Sequence, residues 1–199
     1  MRDASLSNIT IERDLEIYSE GKNRIIHTSN NGMAVNGSSD CNSLVFTGSG
    51  SLDIVTQNNL IAVYLNGRNT RVQVKNTTLN ISASSSAIEG AGSGWDASVT
   101  IDNSNVTLQS GVAGLLSYVN AFTLERAEFT APADADFFQG KLCVNYQPIA
   151  ANTKVEIKAL AEGIENIELT KETNKVLVDG VIYVVRDGKL FNLQGTQVK

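Results

Sequence analysis

Apolar and polar residues alternate in short bursts along most of this chain, and the bursts recur. Val72-Gln-Val74-Lys-Asn-Thr-Thr-Leu79-Asn-Ile81 is followed by Val99-Thr-Ile101-Asp-Asn-Ser-Asn-Val106-Thr-Leu108, and then by Phe122-Thr-Leu124-Glu-Arg-Ala-Glu-Phe129-Thr-Ala131. Each copy is an apolar pair, a polar corner and a second apolar pair. The copies start 27 and then 23 residues apart. An alternating strand repeated at a period of about 20–30 residues is the mark of a solenoid, in which each repeat covers the apolar face of its neighbour.

The same unit is found upstream. Leu44-Val-Phe46 and Leu52-Asp-Ile54 start 28 residues before Val72, and Ile9-Thr-Ile11 starts 35 residues before Leu44, so the first coil reads as longer and less regular. A third apolar position follows seven residues after the second pair, at Ile61, Ile88 and Leu115, with Phe137 at six in the last copy. Three short strands per coil predict an all-β protein: a right-handed parallel β-helix over residues 1–150. Its strands would stack in ladders about 4.8 Å apart. Asn76 and Asn103 occupy the same corner of successive coils and are placed to hydrogen-bond along the axis. A leucine-rich repeat lacks its frame here, a propeller needs about 40–45 residues per blade, and a sandwich needs more hairpin signals than Asn-Gly and Asp-Gly supply before residue 150.

After Ala150 the texture changes. Val155-Glu-Ile157 reads as a last coil or a capping strand. Ile164 to Leu169, Lys175 to Val178, Val181 to Val185 and Lys189 to Leu193 then read as strands, the later ones joined by Asp179-Gly180 and Asp187-Gly188 turns. Residues 151–199 are therefore expected to be capping strands and a small C-terminal antiparallel β meander.

Composition narrows the partners. A net charge of −5 and a pI near 4.9 argue against nucleic acid and against an anionic membrane surface. No apolar run is long enough to span a bilayer, and Met1-Arg-Asp-Ala begins no secretory leader, although the strand pattern starts so abruptly at Ile9 that this says nothing about export. Cys41 and Cys143 match no metal or redox spacing and read as two separate buried thiols.

The tail, Val181-Ile-Tyr-Val-Val-Arg-Asp-Gly-Lys-Leu-Phe-Asn-Leu-Gln-Gly-Thr-Gln-Val-Lys199, resembles the ends of many secreted or surface-exposed proteins of Bacteroidetes, and in part a truncated type IX secretion tail. The body from Leu44 to Phe138 is similar to the parallel β-helix modules of such proteins and, loosely, to β-helix carbohydrate-binding modules. The resemblance implies an extracytoplasmic home, secreted or at the cell surface, and a role in adhesion or glycan binding.

Catalytic patterns are sparse. The single histidine, His27, reads as a solvent-facing strand or turn residue. Asp136-Phe137-Phe138-Gln139-Gly140 superficially resembles a pectin-methylesterase element without its companions, and Phe137 and Phe138 read more simply as core and rim. Gly90-Ala-Gly-Ser-Gly94 lacks the Lys-Ser/Thr of a phosphate loop. A polysaccharide lyase would need outward carboxylates holding calcium and a basic residue as proton acceptor. Lys75, Asp102 and Glu125, with Arg126 adjacent, form one such outward column, although Lys75 and Asp102 also read as a plain cross-strand pair. Sugar binding needs exposed rings beside amides and carboxylates. Tyr64, Trp95 and Tyr118 fall in or beside the third strand of successive coils, accompanied by Asn66, Asp96 and Asn120. The expectation is a non-enzymatic module binding a polysaccharide or cell-surface glycan, with a lyase-type enzyme as the alternative.

Overall fold

A computed structural model of the chain describes residues 1–92, 97–160, 175–178, 181–186, 189–192 and 196–198. No described residue lies in a helix, so none belongs to a helix long and apolar enough to cross a membrane. The chain divides into two compact units, Met1–Leu160 and Ala161–Lys199.

The first unit is a β-solenoid of parallel strands. Its coils visit three sheets in turn. The opening coil holds β1 (Ser5–Leu6), β2 (Ile9–Ile11) and β3 (Leu15–Tyr18), and the next β4 (Lys22–His27), β5 (Met33–Gly37) and β6 (Ser43–Thr47). Then come β7 (Ser51–Thr56), β8 (Ile61–Leu65) and β9 (Arg71–Lys75), followed by β10 (Thr78–Ala83), β11 (Ile88–Gly90) and β12 (Ala97–Asp102). The last full coil holds β13 (Asn105–Ser110), β14 (Leu116–Ser117) and β15 (Val119–Glu125). The second sheet has the order β14-β11-β8-β5-β2 and the third β15-β12-β9-β6-β3.

Alternation explains the register. In the first sheet Ile25, Ile54, Ile81 and Leu108 stand one above another, and so do Leu52, Leu79 and Val106. All seven are buried at 2% exposure or less, while their polar neighbours in sequence face out. The third sheet stacks Leu15, Leu44, Val72, Val99 and Phe122. Leu44 therefore matches Leu15, not Ile9, which belongs to the second sheet. The coils measured on this column are 29, 28, 27 and 23 residues long. The opening coil is thus regular in length; comparing Ile9 with Leu44 crosses from one sheet to another. In the second sheet the column is Val63, Ile88 and Leu116, so a uniform count of seven reaches Ile88 but stops short at Ile61 and Leu115.

The corner between the third and first sheets has a residue of positive φ in each coil: Gly21 at 70°, Gly48 at 118°, Asn76 at 50°, Asn103 at 43° and Arg126 at 51°. Asparagine tolerates that conformation better than other residues with a β-carbon. Asn103 Nδ2 donates to Asn76 Oδ1 at 2.8 Å, forming the expected axial link.

His27 corrects its expectation. It is 8% exposed, because the alternation of β4 puts it in the inward phase. Its Nδ1 lies 3.2 Å from the Ser7 carbonyl oxygen, and its Nε2 lies 3.1 Å from that of Asn31 and 2.9 Å from Ser29 Oγ. A polar corner with these partners takes a buried imidazole without an orphaned nitrogen.

The repeat was expected to continue to Phe138, but the parallel stacking stops earlier. β16 (Ala127–Ala131) has the repeat pattern, yet the place beside β13 is taken by β20 (Val155–Ala159), antiparallel to both. Phe137 and Phe138 lie in β17 (Ala135–Phe138), which forms a hairpin with β18 (Lys141–Val144), in turn paired with β19 (Gln147–Pro148). Phe122 stacks on Phe129 at 6.0 Å and on Phe137 at 6.1 Å, so rings from three repeat positions gather where the coils end. Cys41 and Cys143 are free and buried, as expected.

In the second unit β21 (Lys175–Val178), β22 (Val181–Arg186), β23 (Lys189–Phe191) and β24 (Gln197–Val198) form the expected antiparallel meander. The strand expected at 164–169 and the Asp179-Gly180 and Asp187-Gly188 turns lie outside the described residues.

Candidate functional site

The shortest coil borders a cleft. Leu115 at φ 63° and Tyr118 at φ 54° bracket β14, so the chain turns sharply on either side of a two-residue strand. Gly90 makes this approach feasible: a β-carbon there would lie 2.6 Å from the Tyr118 carbonyl oxygen and 2.8 Å from Ala97 Cβ. Opposite stands the β17–β18 hairpin, whose loop residues Gln139 and Gly140 both have positive φ, at 46° and 81°. Such a pair suits the primed turns that match strand twist. Between them lies a cleft of about 710 Å³, walled by Ser117, Tyr118, Asn120, Phe137, Gln139 and Lys141 among others. Tyr118 is 52% exposed.

The second sheet carries a column of polar residues that ends at Ser117, a wall of this cleft. Asn36, Tyr64, Glu89 and Ser117 occupy one in-register column; the first three each stand between buried neighbours and therefore on the outer face, and Ser117 lines the cleft. The Tyr64 hydroxyl donates to Asn66 Oδ1 at 3.3 Å. Burial, and secondarily the Glu89 carboxylate, push the Tyr64 phenol above its ordinary range, so it remains a neutral donor. Ser117 Oγ shares a hydrogen bond of 2.7 Å with Ser86 Oγ. Of the six residues expected to bind ligand, Tyr64 and Asn66 thus lie two rungs from Ser117, and Tyr118 and Asn120 line the cleft itself. Trp95 and Asp96 lie in the 93–96 segment, outside the described residues.

Sequence reasoning missed Glu89, Gln139 and Lys141, which come from three separate elements. It also missed a smaller notch of about 190 Å³ on the hairpin, lined by Asp134, Asp136, Phe138, Cys143, Asn145 and Tyr146. Tyr146 is 72% exposed and meets Phe138 edge-on at 5.2 Å. The signals were present in Phe138-Gln-Gly140-Lys and Val144-Asn-Tyr146-Gln, two turns less familiar than Asn-Gly.

The lyase column is in register as expected, with Lys75, Asp102 and Glu125 side by side. Asp102, however, is held by Arg126 and not by Lys75: Nε and Nη2 donate to Oδ1 at 2.9 and 2.7 Å, and Nη2 to Oδ2 at 2.9 Å. A two-point guanidinium contact occupies the lone pairs that a cation would need. Among the described residues no three His, Cys, Asp or Glu side chains come together as a metal site. Burial raises both thiols above the ordinary cysteine range, with Asp14 adding to the effect at Cys41 and Asp136 at Cys143, so neither is an activated nucleophile.

No protein-family model, curated protein or solved structure matches this chain.

Proposed function

We propose that the first unit is a non-enzymatic, extracytoplasmic β-solenoid module: a surface scaffold that binds glycan at the cleft between β14 and the β17–β18 hairpin. The observation that carries this reading is the make-up of the cleft. An exposed tyrosine stands beside the side chains of Asn120, Gln139 and Lys141, with Phe137 as a second ring. Sugar C–H faces stack on rings while hydroxyls find directional partners among amides and charged groups. The resemblance of the tail to secreted proteins of Bacteroidetes supports the location.

A glycan array probed with and without calcium tests the reading. Binding that vanishes in Tyr118→Ala, without product formation, supports it. Release of an unsaturated uronide from a pectic substrate, lost in Asp102→Ala, overturns it in favour of a lyase. The Arg126 contact on Asp102 weighs against that outcome.

A further inference from the structure

The cleft is the end of a track. Ser117, one of its walls, is also the last station of the column Asn36–Tyr64–Glu89–Ser117, which runs along the solenoid axis on the outer face of the second sheet. Neighbouring stations are one strand spacing apart, about 4.8 Å. A β-1,4-linked polysaccharide in its extended form advances by nearly that step per sugar, so about one sugar lies over each rung, successive rings being turned over relative to one another. A coiled α-linked chain or a branched glycan does not keep step in this way.

Resting on the glycan-binding reading, we propose that the ligand is a neutral, linear β-1,4-linked polysaccharide lying parallel to the axis. One sugar sits against Tyr118 in the cleft, and the following sugars pass over Ser117 and Glu89 to Tyr64. Tyr118 and Tyr64 supply the two stacking surfaces, and the Glu89 carboxylate between them accepts hydroxyl hydrogen bonds. Asn66 fixes the orientation of the Tyr64 hydroxyl. The middle station also sets the charge of the ligand, because a uronic-acid backbone would bring a carboxylate against Glu89.

Calorimetric titration of the full chain with cello- and chito-oligosaccharides of one to six sugars tests this. In at least one series, affinity should rise about tenfold or more from the disaccharide to the tetrasaccharide and then level off. Tyr64→Ala should remove that gain, so that affinity no longer rises with length, whereas Tyr118→Ala should weaken every length. Glu89→Gln should keep the length dependence and admit β-1,4-linked mannuronate oligomers, which the native chain excludes. Equal affinity for disaccharide and hexasaccharide, or no binding in either series, overturns the axial arrangement. If another glycan then binds in a Tyr118-dependent way, the cleft reading stands without it. If no glycan does, both fall.

Discussion

The regular coils from β1 to β13 and the closing end from β14 to β20 are built from the same kind of residues but solve different problems. In the middle coils most inward apolar positions have an apolar neighbour above and below. Ile54, for instance, lies between Ile25 and Ile81 in register, and each is almost fully buried. The closing end has no next coil to lean on. There the chain reverses: β20 enters against β13, β16 moves outward, and Phe122, Phe129 and Phe137 pack on one another while staying partly exposed. The regular coils carry a recess of about 260 Å³ at the Gly48, Asn76 and Asn103 corners, and the departure from regularity opens the wider cleft of about 710 Å³.

That contrast can be broken by mutation. The largest effect is expected for Ile81→Ala, which leaves a cavity inside an unbroken column and should cost about 2–5 kcal/mol in urea unfolding. Phe129→Ala, at the partly exposed closing cluster, should cost clearly less than removal of a fully buried phenylalanine, about 3–5 kcal/mol. Equal losses at the two sites would mean that the closing end is as tightly built as the coils. Next in size is Asn103→Ala, which removes the axial bond to Asn76 and puts alanine at a φ of 43°; about 1–2 kcal/mol should be lost, much of it recovered in Asn103→Gly. Tyr118 is half-exposed, so Tyr118→Phe should leave the melting temperature within about a degree or two, as surface changes do.

The smallest effect concerns pH. A hydrogen bond from Lys154, reinforced by its charge, holds the Glu156 carboxyl below its ordinary range, across an ion pair of 2.6 Å. A depressed carboxylate favours the folded state above its unfolded pKa, and this contribution is lost as pH falls through the folded value. Lys154→Met should therefore return the Glu156 titration, followed by carboxyl NMR, towards the ordinary glutamate range, with little change in stability at neutral pH. An unchanged titration would show that Lys154 is not the cause.

The coils were legible because inward columns demand apolar residues at a fixed period, and a one-residue slip would bury the polar set. Even there the pattern does not set the register. Ile9 and Leu15 carry the same pattern, and only strand pairing tells which of them lies under Leu44. The reversal at β20 left no mark, since Val155-Glu-Ile157 alternates like any coil strand and alternation does not encode direction. Phe129 shows the same limit: its spacing fits a coil, while its partner is Ile157. Tyr64, Asn66, Tyr118 and Asn120 were reachable as aromatics and amides near a recurring strand. Gln139 and Lys141 were not, because they reach the cleft only through a hairpin that breaks the period.

The position of β20 also decides how the molecule carries load. The chain leaves the first unit at Leu160, directly after a strand paired with β13 on one edge and β16 on the other. A pull applied through the tail must strain two ladders together before it reaches the coils that precede β13. If this module hangs from a surface by its C-terminal end, the strand that ends the repeat is also the one that resists being drawn out.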